Sequence, residues 1–158
     1  MDKETITSAA QGPLPFELVD MESVTIAGIA RRVDNTAEGF EKIQQHWGQF
    51  FQYGVLAKID AKRDQAIYEV YFDYESDASA PYTLLLGSRV DTGAALAAGL
   101  ECTTLPAAKY AKFHVANAQR IRSAWEDIWA RNDLARTYTG DFEVILEDGV
   151  DIYVAVSK

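Results

Sequence analysis

Apolar and polar residues alternate along this chain with two different periods, one of about two and one of about three and a half. Residues 25–33 alternate weakly and are rich in Ile and Val, which predicts a first strand. Phe40, Ile43, Trp47, Phe50 and Phe51 then recur at helical spacing. Asn35 and Glu38 stand ahead of them like a capping pair, so a helix with one aromatic face is predicted near residues 36–51. Strands are expected over 53–59 and 66–74, joined by the charged turn 60–64, and the first half reads β-α-β-β. A further strand, 82–90, follows Pro81, and a Gly/Ala/Thr-rich stretch runs over 92–104. Residues 109–115 alternate as a half-buried strand should. Asn117 then heads a predicted helix near 118–131 whose inner face is Ile121, Ala124, Trp125, Ile128 and Trp129. Residues 142–147 and 152–156 form a closing hairpin about Asp148-Gly149, which is β-α-β-β again.

The halves also repeat in sequence. Val33, Asn35 and Trp47 are matched by Val115, Asn117 and Trp129 at a constant offset of 82 residues. Two such units plus one bridging strand predict an α+β domain: pseudo-twofold-related β-α-β-β units forming an antiparallel sheet with two helices packed across it. The seam between matched halves is a natural place for a pocket. Residues 1–15, polar and carrying Pro13 and Pro15, are expected to be a flexible tail ahead of a single domain over 16–158.

Composition narrows the partners. A chain of 158 residues that is 48% hydrophobic can bury a core without disulfide or metal. A net charge of −9 opposes binding to nucleic acid or an anionic membrane and leaves cationic partners open. The single cysteine, Cys102, excludes an internal disulfide and suits a reducing, cytoplasmic setting. The longest small-apolar run, 94–100, is too short to cross a bilayer. Phosphate-binding glycine loops, Gly-x-Ser-x-Gly elbows and clustered metal ligands are missing. His46 and His114 alone do not make a metal set, and Cys102 has no paired base. No catalytic residue, metal or cofactor is therefore assigned.

Aromatic residues carry the sharper signal. Trp47, Trp125 and Trp129 sit on helix faces, and Tyr68, Phe72, Tyr82, Tyr110 and Tyr153 sit on strands. Plain core accounts for many such residues, yet Trp and Tyr have polar tips and electron-rich faces that full burial wastes. A seam lined by Trp47, Tyr68, Phe72, Tyr82, Tyr110, Trp129 and Tyr153 would hold a flat or cationic guest by stacking and cation–π attraction. A parity slip of one residue would turn any strand member to the opposite face. Glu143 interrupts the apolar run 142–146. It stands either on a solvated strand face or inside the aromatic cavity, where an unpaired carboxylate is costly and attracts a cation.

Four segments fall in the order of a known family. They are Thr25-Ile26-Ala27-Gly28-Ile29-Ala30, the helix ending Gln45-His46-Trp47 with Phe50, the run from Leu105-Pro106 to Tyr110 and Phe113, and Ile128-Trp129 followed by Phe142-Glu143. Together they resemble the effector-binding, GyrI-like family, the ligand-sensing half of AraC-type and MerR-type transcription regulators that also occurs alone. The resemblance covers nearly all of 16–158 and implies the same two-unit fold. In drug-binding members the Glu of a Phe-Glu-x-Tyr strand pairs with cationic, lipophilic ligands, a role the resemblance gives to Glu143. Ile145 stands where that motif has Tyr, and Trp129-Ala130-Arg131 replaces a usual Trp-Leu-Pro. About twenty residues precede the first strand, too few for a helix-turn-helix, so the chain reads as a standalone module without direct nucleic-acid contact. The expected activity is non-enzymatic binding of cationic, aromatic or amphipathic small molecules, with Glu143 as the sole carboxylate in the cavity. The alternatives are a hydrolase of reactive ring compounds, with Glu143 as acid or base, and a protein-interaction module whose partner is a separate regulator or DNA gyrase.

Overall fold

Each half of the chain folds around its own helix. The computed structural model describes residues 14–60, 62–77 and 79–157. Its elements are β1 (Glu17–Met21), β2 (Val24–Val33), α1 (Ala37–Gln52), β3 (Ile67–Phe72), β4 (Tyr82–Val90), β5 (Glu101–Leu105), β6 (Ala108–Val115), α2 (Ile121–Ala130), β7 (Asp141–Leu146) and β8 (Gly149–Val156). Among the described residues the eight strands form one sheet in the order β1-β6-β8-β7-β3-β4-β2-β5, and every recorded pairing is antiparallel. The units are β2-α1-β3-β4 and β6-α2-β7-β8. Their strands lie as β2-β4-β3 and β6-β8-β7, so the halves meet along β3 and β7 as a pseudo-twofold requires.

Local chemistry shifts several predicted boundaries. Thr36, not Asn35, caps α1: its hydroxyl accepts from the Gly39 N–H at 3.0 Å. Asn35 instead accepts from the Tyr82 hydroxyl at 2.8 Å. The strand expected over 53–59 is a 3₁₀ turn, Val55–Lys58. Gly54 takes a left-handed φ of 60°, which reverses the chain after α1. Val55 and Ile59, four residues apart, then both turn into the core, and Lys62 Nζ donates to the Leu56 and Ile59 carbonyls. Strand 82–90 therefore belongs to the first unit rather than bridging the two. Asn117 accepts from the Gln119 N–H at 3.1 Å and opens a 3₁₀ turn, Ala118–Arg120, before α2 begins. The edge strands β1 and β5 were not expected. The expected tail, 1–15, lies outside the described residues except for Leu14 and Pro15. Leu14 is docked, with its carbonyl accepting from Arg131 Nη1 at 2.7 Å.

The sheet has two unlike faces. On one, Val24 and Ile26 of β2, Tyr68 and Val70 of β3, Leu105 of β5, Tyr110 of β6, Phe142 of β7 and Ala155 of β8 share one packed cluster. Strands lie about 4.8 Å apart in a sheet, yet Leu105 of β5 lies against Gly140 at the head of β7, four strands away, so the sheet curls over itself on this side. The other face carries the helices in two separate clusters. Phe50, Val55 and Ile59 pack on β2 and β4, while Ala124, Trp125 and Ile128 pack on β6 and β8. Neither helix covers the seam between β3 and β7.

Candidate ligand-binding site

The uncovered seam is a cavity of about 500 Å³ between α1 and α2. Phe40, Ile43 and Trp47 line it from α1, and Ile121, Trp125 and Trp129 line it from α2. Glu69, Tyr71, Tyr82 and Ile145 rise from the sheet below. All three tryptophans of the chain thus face one space. The rings meet mostly edge to face: Tyr71 lies 5.7 Å from Tyr82 and 5.3 Å from Trp125, at interplanar angles of 67° and 74°. That geometry leaves electron-rich ring faces available to a guest.

An acidic pair forms the floor. Glu69 of β3 and Glu143 of β7 are direct cross-strand partners and point to the helix side. Glu143 is fully buried, and its Oε2 accepts from the Tyr71 hydroxyl at 2.7 Å and the Trp125 indole N–H at 2.6 Å. Its Oε1 finds no donor if both carboxyls are ionised, because two carboxylates offer each other only acceptors. A proton on Glu69 resolves this by donating to Glu143. Burial, then the charge of Glu143, pushes the Glu69 carboxyl well above the usual carboxylate range. Burial also raises Glu143, opposed by the bonds from Trp125, Tyr71 and Glu69. Of the pair, the Glu69 carboxyl is raised the more. Burial and these two carboxylates raise the Tyr71 hydroxyl too, which keeps it a donor.

A third carboxylate on the same side is already neutralised. Asp141 is buried, ion-paired with Arg136 Nη2 at 2.7 Å, and accepts from the Ala155 N–H at 2.8 Å. The Tyr74 hydroxyl donates to it as well. Arg136 is held over the Tyr138 ring at 4.4 Å. The net negative charge of the floor therefore resides in Glu69 and Glu143. At the mouth, the Arg122 guanidinium lies 4.7 Å over the Phe40 ring and bridges the two helices.

The structure divides the predicted site residues by strand parity. Trp47, Tyr82 and Trp129 line the cavity. Tyr68, Phe72, Tyr110 and Tyr153 lie on the opposite face in the packed cluster, a correction forced by the one-residue alternation of strands. Glu143 sits just beneath the lining, bonded to two of its members rather than unpaired. It is also not the sole carboxylate, since Glu69 is beside it and faces the cavity directly. Tyr71 and Glu69 were missed. Glu69 interrupts the run Ile67-Tyr68-Glu69-Val70-Tyr71-Phe72 just as Glu143 interrupts its own strand, and that signal fixes the parity of β3. His46 is buried behind α1 with its Nε2–H donating to the Ile29 carbonyl at 2.9 Å, and burial lowers its pKa. His114 pairs with Asp151 on the surface, away from the cavity. The lining contains no Ser, Cys or His, and no metal-ligand cluster occurs among the described residues. None of their helices is long and apolar enough to cross a membrane.

Two fused β-α-β-β units with an aromatic, acid-floored cavity at their seam define an effector-binding module. Residues 17–156 match the family described as "Cass2: Integron-associated effector binding protein", and the chain belongs to that family. YobU of Bacillus subtilis (strain 168), which carries a transcriptional-regulator name, is 30% identical over 146 residues, 84% of this chain and 91% of YobU. The integron cassette protein VCH_CASS2 of Vibrio cholerae shares the fold with a TM-score of 0.73 at 22% identity, over 89% of this chain and 95% of that one. SAV2435, solved bound to tetraphenylphosphonium, shares it with a TM-score of 0.71 at 21% identity, over 91% and 94% of the two chains.

Proposed function

We propose that the seam cavity binds lipophilic cations and that the protein is a non-enzymatic small-molecule binder. The observation that carries this reading is the pair of buried carboxylates, Glu69 and Glu143, set under a wall of Trp and Tyr rings. A buried anion without a cationic partner is costly, and an aromatic wall solvates a delocalised cation without competing with it for protons. The volume of about 500 Å³ falls within the range of sites that enclose drug-sized molecules. Tetraphenylphosphonium on SAV2435 is a ligand of this class bound by a protein of the same fold. A charge-assisted contact with the floor is worth roughly 1.5–3 kcal/mol, or about ten- to a hundredfold in affinity.

Because every tryptophan lines the cavity, intrinsic fluorescence reports occupancy directly. Titration with tetraphenylphosphonium should quench it saturably, and the compound should be recovered unchanged. Tetraphenylborate has the same outline and the opposite charge. Equal or tighter binding of the borate would reject the reading.

A further inference from the structure

Glu69 and Glu143 are not equivalent in what they can reach. Glu143 has no exposed surface, and the donors on its Oε2, Tyr71 and Trp125, are themselves lining residues that separate it from the cavity. Glu69 is one of the lining residues, with its carboxyl directly opposite Glu143 across β3 and β7. Without a proton between them, two carboxylates in that register would leave Glu143 Oε1 buried with no donor. Resting on the cation-binding reading above, we propose that Glu69, not Glu143, is the carboxylate that meets the ligand, and that an entering cation takes the place of the proton the pair shares.

The exchange balances simply. The Glu69 O–H bond breaks, the proton leaves to solvent through the mouth, and the ligand's positive charge compensates the second carboxylate. Glu143 remains ionised throughout, held by Tyr71 and Trp125. Other groups around the pair do not compete for this role. Tyr71 of β3 and Tyr82 of β4 are raised by burial and stay neutral donors. Asp141 of β7 is paired with Arg136, which leaves Tyr74 as a donor to it. Trp47 of α1 and Trp125 of α2 do not titrate. Arg122, the remaining cation of the lining, sits at the mouth in an ion pair with Glu126 at 3.7 Å. Of these groups, the dyad is the one that holds a proton an entering cation can displace.

Calorimetric titration of tetraphenylphosphonium into the whole protein near pH 7, in phosphate and in Tris, measures the exchange. The two buffers differ strongly in protonation enthalpy, so the difference in apparent binding heat gives the protons released. Release of about one proton per cation is expected, with affinity rising towards tenfold per pH unit from mildly acidic to neutral pH. Glu69→Gln leaves one carboxylate, Glu143, held ionised by Tyr71 and Trp125, and no proton to share. It should therefore bind the cation with neither proton release nor a pH slope. Saturable binding to the wild type without proton release would overturn the exchange while leaving cation binding intact. So would an unchanged proton count in a folded Glu69→Gln protein. Failure of the wild type to bind the cation at all would overturn both readings, so the two failures are distinct.

Discussion

Two neighbouring pairs on the central strands show how differently one sheet can use its faces. Val70 and Phe142 are opposite each other on β3 and β7, and one residue along the ladder Glu69 and Glu143 are opposite each other. On the curled face Phe142 stacks on Tyr153 at 4.6 Å and 10°, and Tyr110 meets its edge at 5.4 Å and 76°. That face is filled. On the helix face the same strands carry two carboxylates under an open volume of about 500 Å³. The backbone is shared, so the cover makes the difference. One face is closed by the sheet itself, whereas the other carries two helices that each cover only their own half. Duplication thus leaves a gap along the symmetry seam. Aromatic residues occupy both faces, and only the carboxylates mark which one stays open. Two carboxyls buried side by side at the centre of a fold cost stability, and such costs are retained where they serve a site.

The largest effect should come from breaking the filled face. Phe142→Ala removes a ring in contact with three aromatic neighbours and should cost about 3–5 kcal/mol, lowering Tm by on the order of 10 °C. Protein that remains folded should still prefer tetraphenylphosphonium to tetraphenylborate. A melting point within a degree or two of wild type would mean that this face is not core. Next in size is the double replacement Glu69→Gln/Glu143→Gln, which keeps the outline and removes the charge. It should weaken the cation by about ten- to a hundredfold, with neutral ligands of similar shape barely changed. Equal losses for both ligand classes would show that the pair only supports the walls.

The comparison also shows what the sequence could and could not convey. The matched Val33/Asn35/Trp47 and Val115/Asn117/Trp129 reveal the duplication, and both tryptophans at that offset do reach the seam. The amphipathic spacing locates both helices because each packs one face onto its own half. Parity in β3 was not legible from apolar residues. Ile67, Tyr68, Val70, Tyr71 and Phe72 are apolar or aromatic towards both sides, as expected of a strand buried on both faces. Without alternation, Tyr68 and Tyr71 are indistinguishable, and Glu69 alone breaks the tie. Strand β5 escaped notice because Glu101-Cys102-Thr103-Thr104 is a polar edge paired on one side only. The 3₁₀ turn at Val55–Lys58 imitates a strand because Val55, Leu56 and Ile59 are apolar, while the reversal depends on Gly54 alone.

A third prediction separates the faces by pH. The Glu69 carboxyl is raised in the folded protein, so at low pH it is protonated in both folded and unfolded chains and costs nothing. As pH rises past the ordinary glutamate value of about 4.3, the unfolded chain gains by ionising while the folded one does not. Stability therefore falls with rising pH until the folded value is passed, and each pH unit between the two values is worth about 1.4 kcal/mol. Glu69→Gln should melt higher than the wild type at about pH 8, with a smaller gap at about pH 5. A substitution on the filled face should show no such divergence. If the gap instead narrows as pH rises, the pair does not hold a proton in the folded state.

The smallest effect is expected at Arg122, which ties the two helices together across the mouth of the open face. Its guanidinium lies over Phe40 of α1, and its Nε is 3.7 Å from Glu126 one turn further along α2. The side chain is 70% exposed. An exposed cation–π contact is worth about 0.5–1 kcal/mol and an exposed ion pair at this spacing about 0.3–0.5 kcal/mol. Arg122→Ala should therefore lower Tm by only about 2–4 °C. Its effect on binding should have the opposite sign. A fixed positive charge at the mouth repels an entering cation, and Glu126 offsets only part of that field. Removing it should tighten tetraphenylphosphonium about two- to threefold at low salt. The gain should vanish near 1 M salt, where the screening length is about 3 Å. Weaker cation binding in Arg122→Ala would instead show that the stem of Arg122, by holding Phe40, helps to build the wall the ligand leans on.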